Sequence, residues 1–532
     1  MSSVSPRVFL FSVISVISVV KKMRTCFLFF WISLAAFVAA QDAPSPYFAI
    51  TVVDEQTHRG VPLVELRTVS DMKFITDSNG VVAFNEPGLM DRKVFFHVKS
   101  HGYEIPADGF GTRGKTLDVK AGGSATIKIK RINIAERLYR LTGEGIYRDS
   151  VLLGLPVPLA NPVLDAQVSG QDSVQMIAHL GKLYWFFGDT NRPSYPLGHF
   201  GTSGATSKMP GDGGLDPAKG VDLAYFAGTD GFSRPMIGGK EPGPRWISGL
   251  LNVKDDSGAE KLVVMSSRMK NLGEVLERNL MVLNDATNEF EKVAPISAEH
   301  PRNFVGSNAQ AFRVKFGEQD YFCFCAPYPL VRVKADWKSV IDPAAYEAYT
   351  CLERGTRYAK GAAKIERDAG GNAVWAWKVD TSPLEWKQQD ELVAAKQLRE
   401  NERYYVMTEI ETGKPVRGHS GSVHYNAYRK KWIMLLEQIG GTSSLLGEVW
   451  YSEANDATGP WEKARKIVTH DKYTFYNVAQ HPEFDQDGGR YVYFEGTYTI
   501  SFSGNSEPTP RYEYNQMMYR LDLADERLRS NK

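Results

Sequence analysis

The residues best equipped for chemistry lie in one stretch, Asp165 to Pro193, DAQVSGQDSVQMIAHLGKLYWFFGDTNRP. The alternating run SVQMIAHL, a Gly181-Lys182 turn and the aromatic run LYWFFGDT predict a β-hairpin. Antiparallel pairing brings the start of the first strand and the end of the second to one edge, so Asp172 and Asp189 are expected at the same rim. Two carboxyl groups at one rim are the minimum for cleaving a glycosidic bond, one as acid and the other as base or nucleophile. Turn carboxylates of purely conformational use have the same sequence appearance, so the pair gains meaning only from what surrounds it.

The element that positions this pair recurs. Similar hairpins read at 249–270, 309–327, 421–441 and 478–498, each a strand, a polar turn and a second strand rich in aromatic and branched residues. Most are followed by further strands, such as VDLAYFAG, RNLMVLNDATNEFEKVA and NQMMYRLDL, which makes blades of three to four strands. Five such units closed in a ring leave no exposed sheet edge, so the expected fold class is all-β, a five-bladed β-propeller preceded by a small β-sandwich. The largest insertion lies between the third and fourth units, where DWKSVIDPAAYEAYTCLERG and LEWKQQDELVAAKQLREN read as helical. The glycine-rich stretch 201–220 reads as a flexible loop over the rim, since no strand–loop–helix context makes it a phosphate site.

The same antiparallel logic predicts what else reaches the rim. Strand starts supply Gln171, Gln310, His419, His424, Tyr476, Asn477, Gln480 and His481. Strand ends supply Arg192, Arg268, Glu437, Glu495 and Tyr498. With Trp246, Tyr195 and Tyr328 among them, these groups suit a sugar site, hydrogen bonds meeting hydroxyls and aromatic faces meeting the apolar face of a ring. Glu495 is expected on the same side as the aspartates, as a third catalytic acid whose pKa burial raises or Arg268 lowers. His419, His424 and His481 offer a weak alternative as a metal cluster, because a four-residue spacing favours a shared face on a helix rather than on a strand. No cofactor is required; a structural calcium on Asp485 and Asp487 stays open.

The chain of 532 residues exceeds one ordinary domain, and its 43% hydrophobic and 12% aromatic content suits a filled interior. With 63 basic against 62 acidic residues and a formal charge of +1, no global field draws it to nucleic acid or an anionic membrane. Apolar runs at 8–20 and 26–40, separated by Lys21, Lys22 and Arg24, read as a signal-peptide region over 1–43, with Met23 an alternative start and a membrane anchor on the first run the rival. After cleavage the expected location is secreted or periplasmic, away from the membrane, as a monomer. The remaining Cys323, Cys325 and Cys351 lack metal-ligand spacing and read as buried apolar side chains.

Residues 47–130 form the expected sandwich, 131–164 a connector with a short helix over IAERLYRL, and 165–532 the propeller. The sandwich segment resembles the transthyretin-like, carboxypeptidase regulatory-like modules of secreted bacterial proteins through Thr76, Asp77, Gly80 and Phe84, which implies a non-catalytic spacer or adhesion module. The remainder resembles the five-bladed β-propeller glycoside hydrolases, most of all the bacterial endo-arabinanase-type group. The resemblance rests on Asp172 ahead of the first blade strand, LYWFFGDT ending in Gly188-Asp189-Thr190, GEVWYSEA, the Thr458-Gly459-Pro460-Trp461 corner and HPEFDQDGGRYVYFEGTY. It implies cleavage of a polysaccharide or oligosaccharide by first-blade acids, and Asp172 and Asp189 carry over. Two other readings stay open: β-elimination on a uronic-acid glycan, with Arg192 and Arg268 on the carboxylate and His424, His481 and Tyr476 as base and acid, and a non-catalytic glycan-binding surface protein.

Overall fold

The computed structural model describes residues 45–297 and 308–529, so the apolar runs and the cleavage site expected near the amino terminus lie outside the described residues. The first 85 or so of these build a small sandwich. One sheet holds Phe48–Asp54, Val81–Phe84, Ser124–Arg131 and Tyr103–Glu104; the other holds Lys73–Ile75, Glu65–Thr68, Arg92–Lys99 and Gly114–Val119. Strict alternation drives their packing: Phe48, Ile50 and Val52 point inward on one strand and meet Leu66, Phe96 and Val98 from the facing sheet.

Five further sheets follow as blades. Each begins with an inner strand: Val174–His179, Arg245–Lys254, Gln310–Phe316, Gly418–Asn426 and Thr474–Gln480. Hydrogen bonds join them in order, Leu250 N–H to Gln175 Oε1, Gly249 N–H to the Ala309 carbonyl, Cys325 Sγ to the Gly421 carbonyl and Gln480 N–H to Ser422 Oγ. Asn477 Nδ2 donates to Ser173 Oγ at 2.6 Å, tying the fifth blade to the first and closing the ring. The architecture is a five-bladed β-propeller behind a small β-sandwich, and closure leaves the inner strands no open edge.

The connector departs from expectation. Instead of a helix, Glu136–Arg140 is a strand, all five residues buried, that pairs with Asn515–Asp522 as the outermost strand of the fifth blade. A short run buried on both faces has no period to separate strand from helix in sequence. The nearest helix, Arg148–Leu152, comes later.

This strand also seats the sandwich. Arg137, 1% exposed, donates from Nε to the Pro62 carbonyl, from Nη1 to the His101 carbonyl and from Nη2 to Ser100 Oγ. In the Asp77-Ser78-Asn79-Gly80 turn, Asp77 accepts from the Asn79, Val81 and Ser150 amides, so a turn motif doubles as a docking key. His101 reaches Tyr498 of the fifth blade at 3.0 Å. The sandwich therefore covers what would be an exposed sheet edge.

Other elements refine the expectations. The insertion between blades three and four holds helices Trp337–Ile341 and Trp386–Ala394, while AYEAYT contributes the strand Glu347–Thr350 to the third blade. The stretch 201–220 contains Ser203–Lys208, the third strand of the first blade; Lys208 pairs with Lys182 beside the hairpin turn, so the loop after it leaves from the end opposite Asp172. Cys323, Cys325 and Cys351 are free and buried, and burial pushes each thiol up.

Candidate active site

The first hairpin pairs Val174 with Phe187 and His179 with Lys182, leaving Asp172 and Asp189 just past its open end. There the chain is drawn tight: Asp172 N–H meets the Asp189 carbonyl, and Gly188 N–H meets the Asp172 carbonyl at 2.7 Å. Asp172 Oδ1 accepts from the Asp189 amide at 2.7 Å. A Cβ on Gly188 would lie 2.3 Å from Asp172 Oδ1, so only glycine lets that carboxyl lie down on the strand.

The fifth blade supplies the rest of the cradle. Tyr476 donates its hydroxyl to Asp172 Oδ2 at 2.6 Å, and the Tyr514 hydroxyl reaches the same carboxyl. Burial pushes Asp172 up, while Tyr476, the Asp189 amide and Tyr514 pull it back. Ser173, Asn477 and Tyr514 all hold left-handed φ, at 53°, 58° and 60°, around this one carboxyl. Strain gathered in non-glycine residues at one point marks a place where geometry is imposed for use.

Asp189 has a different environment. Its Oδ1 accepts from the Trp246 indole at 2.7 Å, with Trp246 at the start of the second blade. Burial first, and the Asp172 charge second, push it up to about 7. Two neighbouring carboxyls thus have separate characters, one held by several donors and one ready to carry a proton near neutrality.

Glu437 extends the site toward the fourth blade. It is fully buried, and its Oε2 accepts from Ser420 Oγ at 2.7 Å, Asn477 N–H at 3.0 Å and His419 Nδ1 at 3.3 Å. Its hydrogen bond holds His419 above the usual imidazole range. The dipeptide Tyr476-Asn477, at a break in register of its strand, therefore holds Asp172 with one residue and Glu437 with the next.

Several expected rim residues lie elsewhere. Gln171 is buried between Thr190, Ser203 and Tyr225. Gln310 donates to the Val174 carbonyl. Arg192 lies over the Phe232 ring at 5.4 Å, and Arg268 binds Glu277 and the Pro242 carbonyl rather than Glu495. Tyr328 is buried against Tyr405, while Tyr195 is exposed on the small hairpin beside the first blade.

The largest correction concerns the fifth hairpin. Its first strand begins at Thr474, not near Val478, so Gln480 and His481 fall at its far end, at the turn end of the blades; Asn426 beside His424 bonds to the Gly489 carbonyl there. His424, which burial pushes down to about 4, is therefore also remote from Asp172, and His419 is not clustered with the other two histidines. Glu495 lies mid-strand, since Tyr491–Thr499 continues past it, and its Oε1 meets His481 Nε2 at 2.7 Å inside the blade. Burial raises its pKa and His481 pulls it back. Tyr498, 1% exposed, faces the sandwich. Asp485 faces Gln480 whereas Asp487 lies near Arg490, so the two carboxylates expected for calcium do not converge; among the described residues no group of three or more His, Cys, Asp or Glu side chains forms a metal site.

Tyr514, just ahead of the strand Asn515–Asp522, and Trp246 as the partner of Asp189 were not anticipated from the sequence. His419 was expected at the rim, among the sugar-contacting groups and as a weak metal candidate, without Glu437 as its partner.

No protein-family model and no curated protein matches this sequence. Among solved structures, the chain is similar to a mutant α-L-arabinofuranosidase from Fusarium graminearum in complex with an iminosugar inhibitor, at 13% identity over 73% of this chain and 98% of that one, with a TM-score of 0.34. It is similar to an exo-β-1,3-galactanase from Phanerochaete chrysosporium solved with β-1,3-galactotriose, at 8% identity over 73% and 64%, TM-score 0.35. A third is an exo-1,5-α-L-arabinanase from a bovine ruminal metagenomic library, at 9% identity over 67% and 94%, TM-score 0.31. Overlaps this low add nothing to the fold, which stands on its own strand pairing.

Proposed function

We propose that the protein is an exported glycoside hydrolase that cleaves a polysaccharide through Asp172 and Asp189. The observation that carries this reading is the closeness of the two carboxyls together with their unequal environments. The 2.7 Å contact between Asp172 Oδ1 and the Asp189 amide keeps the two carboxyl groups within about 8 Å of each other. Direct attack by one carboxyl, as in retaining glycosidases, is the mechanism we infer for the pair, and the anomeric configuration of the first product tests it. Asp189, protonated near neutrality, gives its proton to the leaving oxygen as the glycosidic bond breaks. Asp172, aimed by Tyr476, Tyr514 and the Asp189 amide, whose donated hydrogen bonds favour its carboxylate against burial, forms the new bond to the anomeric carbon. Asp189 then takes a proton from water as that water displaces Asp172. Trp246, bonded to Asp189, offers an aromatic side chain beside the pair.

Export rests on the apolar runs and basic cluster before residue 41. β-Elimination is less well supported, because Arg268 is engaged by Glu277, His481 is held by Glu495 inside the fifth blade and His424 lies toward the turn end of its own. The test is product release from a panel that includes arabinan, β-1,3-galactan and uronate polymers, with wild type, Asp172→Asn and Asp189→Asn. Loss of about a hundred- to ten-thousandfold in both variants supports the reading. Wild type that binds a glycan yet releases nothing would leave a binding protein, and an unsaturated product would mark a lyase.

A further inference from the structure

The fourth blade presents a histidine to which the hydrolytic step above gives no role. His419 is the second residue of the strand Gly418–Asn426, and its side chain is 41% exposed while that of Glu437, its partner, is 0% exposed. Nδ1 is committed to Glu437, and Nε2 has no partner among the described residues. The arrangement is a carboxylate holding an imidazole in one orientation, with the opposite nitrogen turned out. Glu437 itself cannot touch a ligand from solvent; it acts through His419.

The insertion before this blade braces the same spot. Trp386, the first residue of helix Trp386–Ala394, donates its indole N–H to the Gly418 carbonyl at 3.1 Å, and the Arg417 guanidinium lies 4.8 Å over the Trp386 ring while binding Asp390. Asp390 also takes Arg403, so these charges are mutually satisfied, and among the described residues Glu437 is the ionisable group that faces the imidazole. On the other side, the Asn477 amide on Glu437 and the Tyr476 hydroxyl on Asp172 fix the histidine relative to the reacting carboxyl.

We propose that His419 is a substrate-binding residue of the same mouth, donating from Nε2 to a hydroxyl of a sugar unit adjacent to the one attacked, with Glu437 as its positioning residue. This rests on the glycosidase reading. The imidazole donates from Nε2 while protonated; as pH rises it keeps the proton on Nδ1, toward Glu437, and loses the one on Nε2. The neutral imidazole can still accept from the hydroxyl, so on the alkaline side binding through His419 loses the charge-assisted part of the bond and weakens.

The experiment measures kcat and KM against pH on whichever oligosaccharide of the panel the wild type cleaves. His419→Ala is expected to raise KM about tenfold, the worth of one hydrogen bond, with kcat within about twofold. Glu437→Gln keeps the shape and removes the charge, so His419 loses its proton earlier and the alkaline rise in KM begins at lower pH. An unchanged KM in His419→Ala, or a KM profile that does not move in Glu437→Gln with its melting temperature preserved, overturns the proposal. If no panel member is cleaved, retardation in gels containing the same polysaccharides decides: retardation lost in His419→Ala supports the site, and equal retardation in both proteins overturns it. No retardation of the wild type on any polymer overturns this proposal and the hydrolase reading together.

Discussion

Asp172 Oδ1 lies 2.7 Å from the main-chain nitrogen of Asp189, so the hairpin's own backbone holds one carboxyl against the residue that bears the other. Spacing and acidity are then set by the same contact. For a retaining pair, the first product formed keeps the anomeric configuration of the substrate, which proton NMR reads before mutarotation. Inverted product would show that a water, not Asp172, attacks.

Gly188 is part of that contact although it has no functional group. Gly188→Ala is expected to push the Asp172 carboxyl off the strand, because the added Cβ would meet Oδ1 at 2.3 Å. Turnover should fall by about a hundredfold or more while both aspartates remain, a loss typical of a misplaced catalytic group. Activity near wild type would mean that the carboxyl works from another position.

Asp189 should cost stability wherever it must ionise. Its folded pKa of about 7 lies above the unfolded value of about 3.9, so the folded state holds the extra proton between these limits and stability falls as pH rises through that window. Asp189→Asn can still accept from Trp246. It is expected to raise stability by about 1–3 kcal/mol at pH 8 and by almost nothing at pH 4, while removing turnover. Chemical denaturation at the two pH values checks this.

The Tyr476 hydroxyl favours the ionised form of Asp172. Its removal in Tyr476→Phe is expected to shift the acidic limb of kcat/KM upward by about one pH unit, with Tyr514 still in place. An unmoved limb with lower kcat would instead make Tyr476 a contact to substrate.

Glu495 is expected to act on stability rather than on turnover. Glu495→Ala leaves His481 buried without its partner and should destabilise by about 3–5 kcal/mol, with kcat of the folded fraction close to wild type. A stable variant with lost turnover would return Glu495 to the catalytic set.

The sequence by itself determined what depends on local repetition. Alternation and turn chemistry gave the blades, and a tight turn at Gly181 between two strands was enough to put Asp172 and Asp189 at one edge, because antiparallel pairing leaves no other place for them. What only the tertiary structure decided depends on register and on closure. The fifth hairpin's first strand starts at Thr474 and ends in the Pro482–Phe484 turn, a displacement of a few residues that carries Gln480 and His481 to the wrong end of the blade. No local pattern records where a long, bulged strand begins. Nor does local pattern show that Glu136–Arg140 completes a blade whose other strands lie more than 300 residues away, or that Tyr476, Tyr514 and Trp246 converge on one carboxyl pair while Asn477 ties Glu437 beside it. Those contacts exist because the ring closes, and closure is a property of all five blades at once.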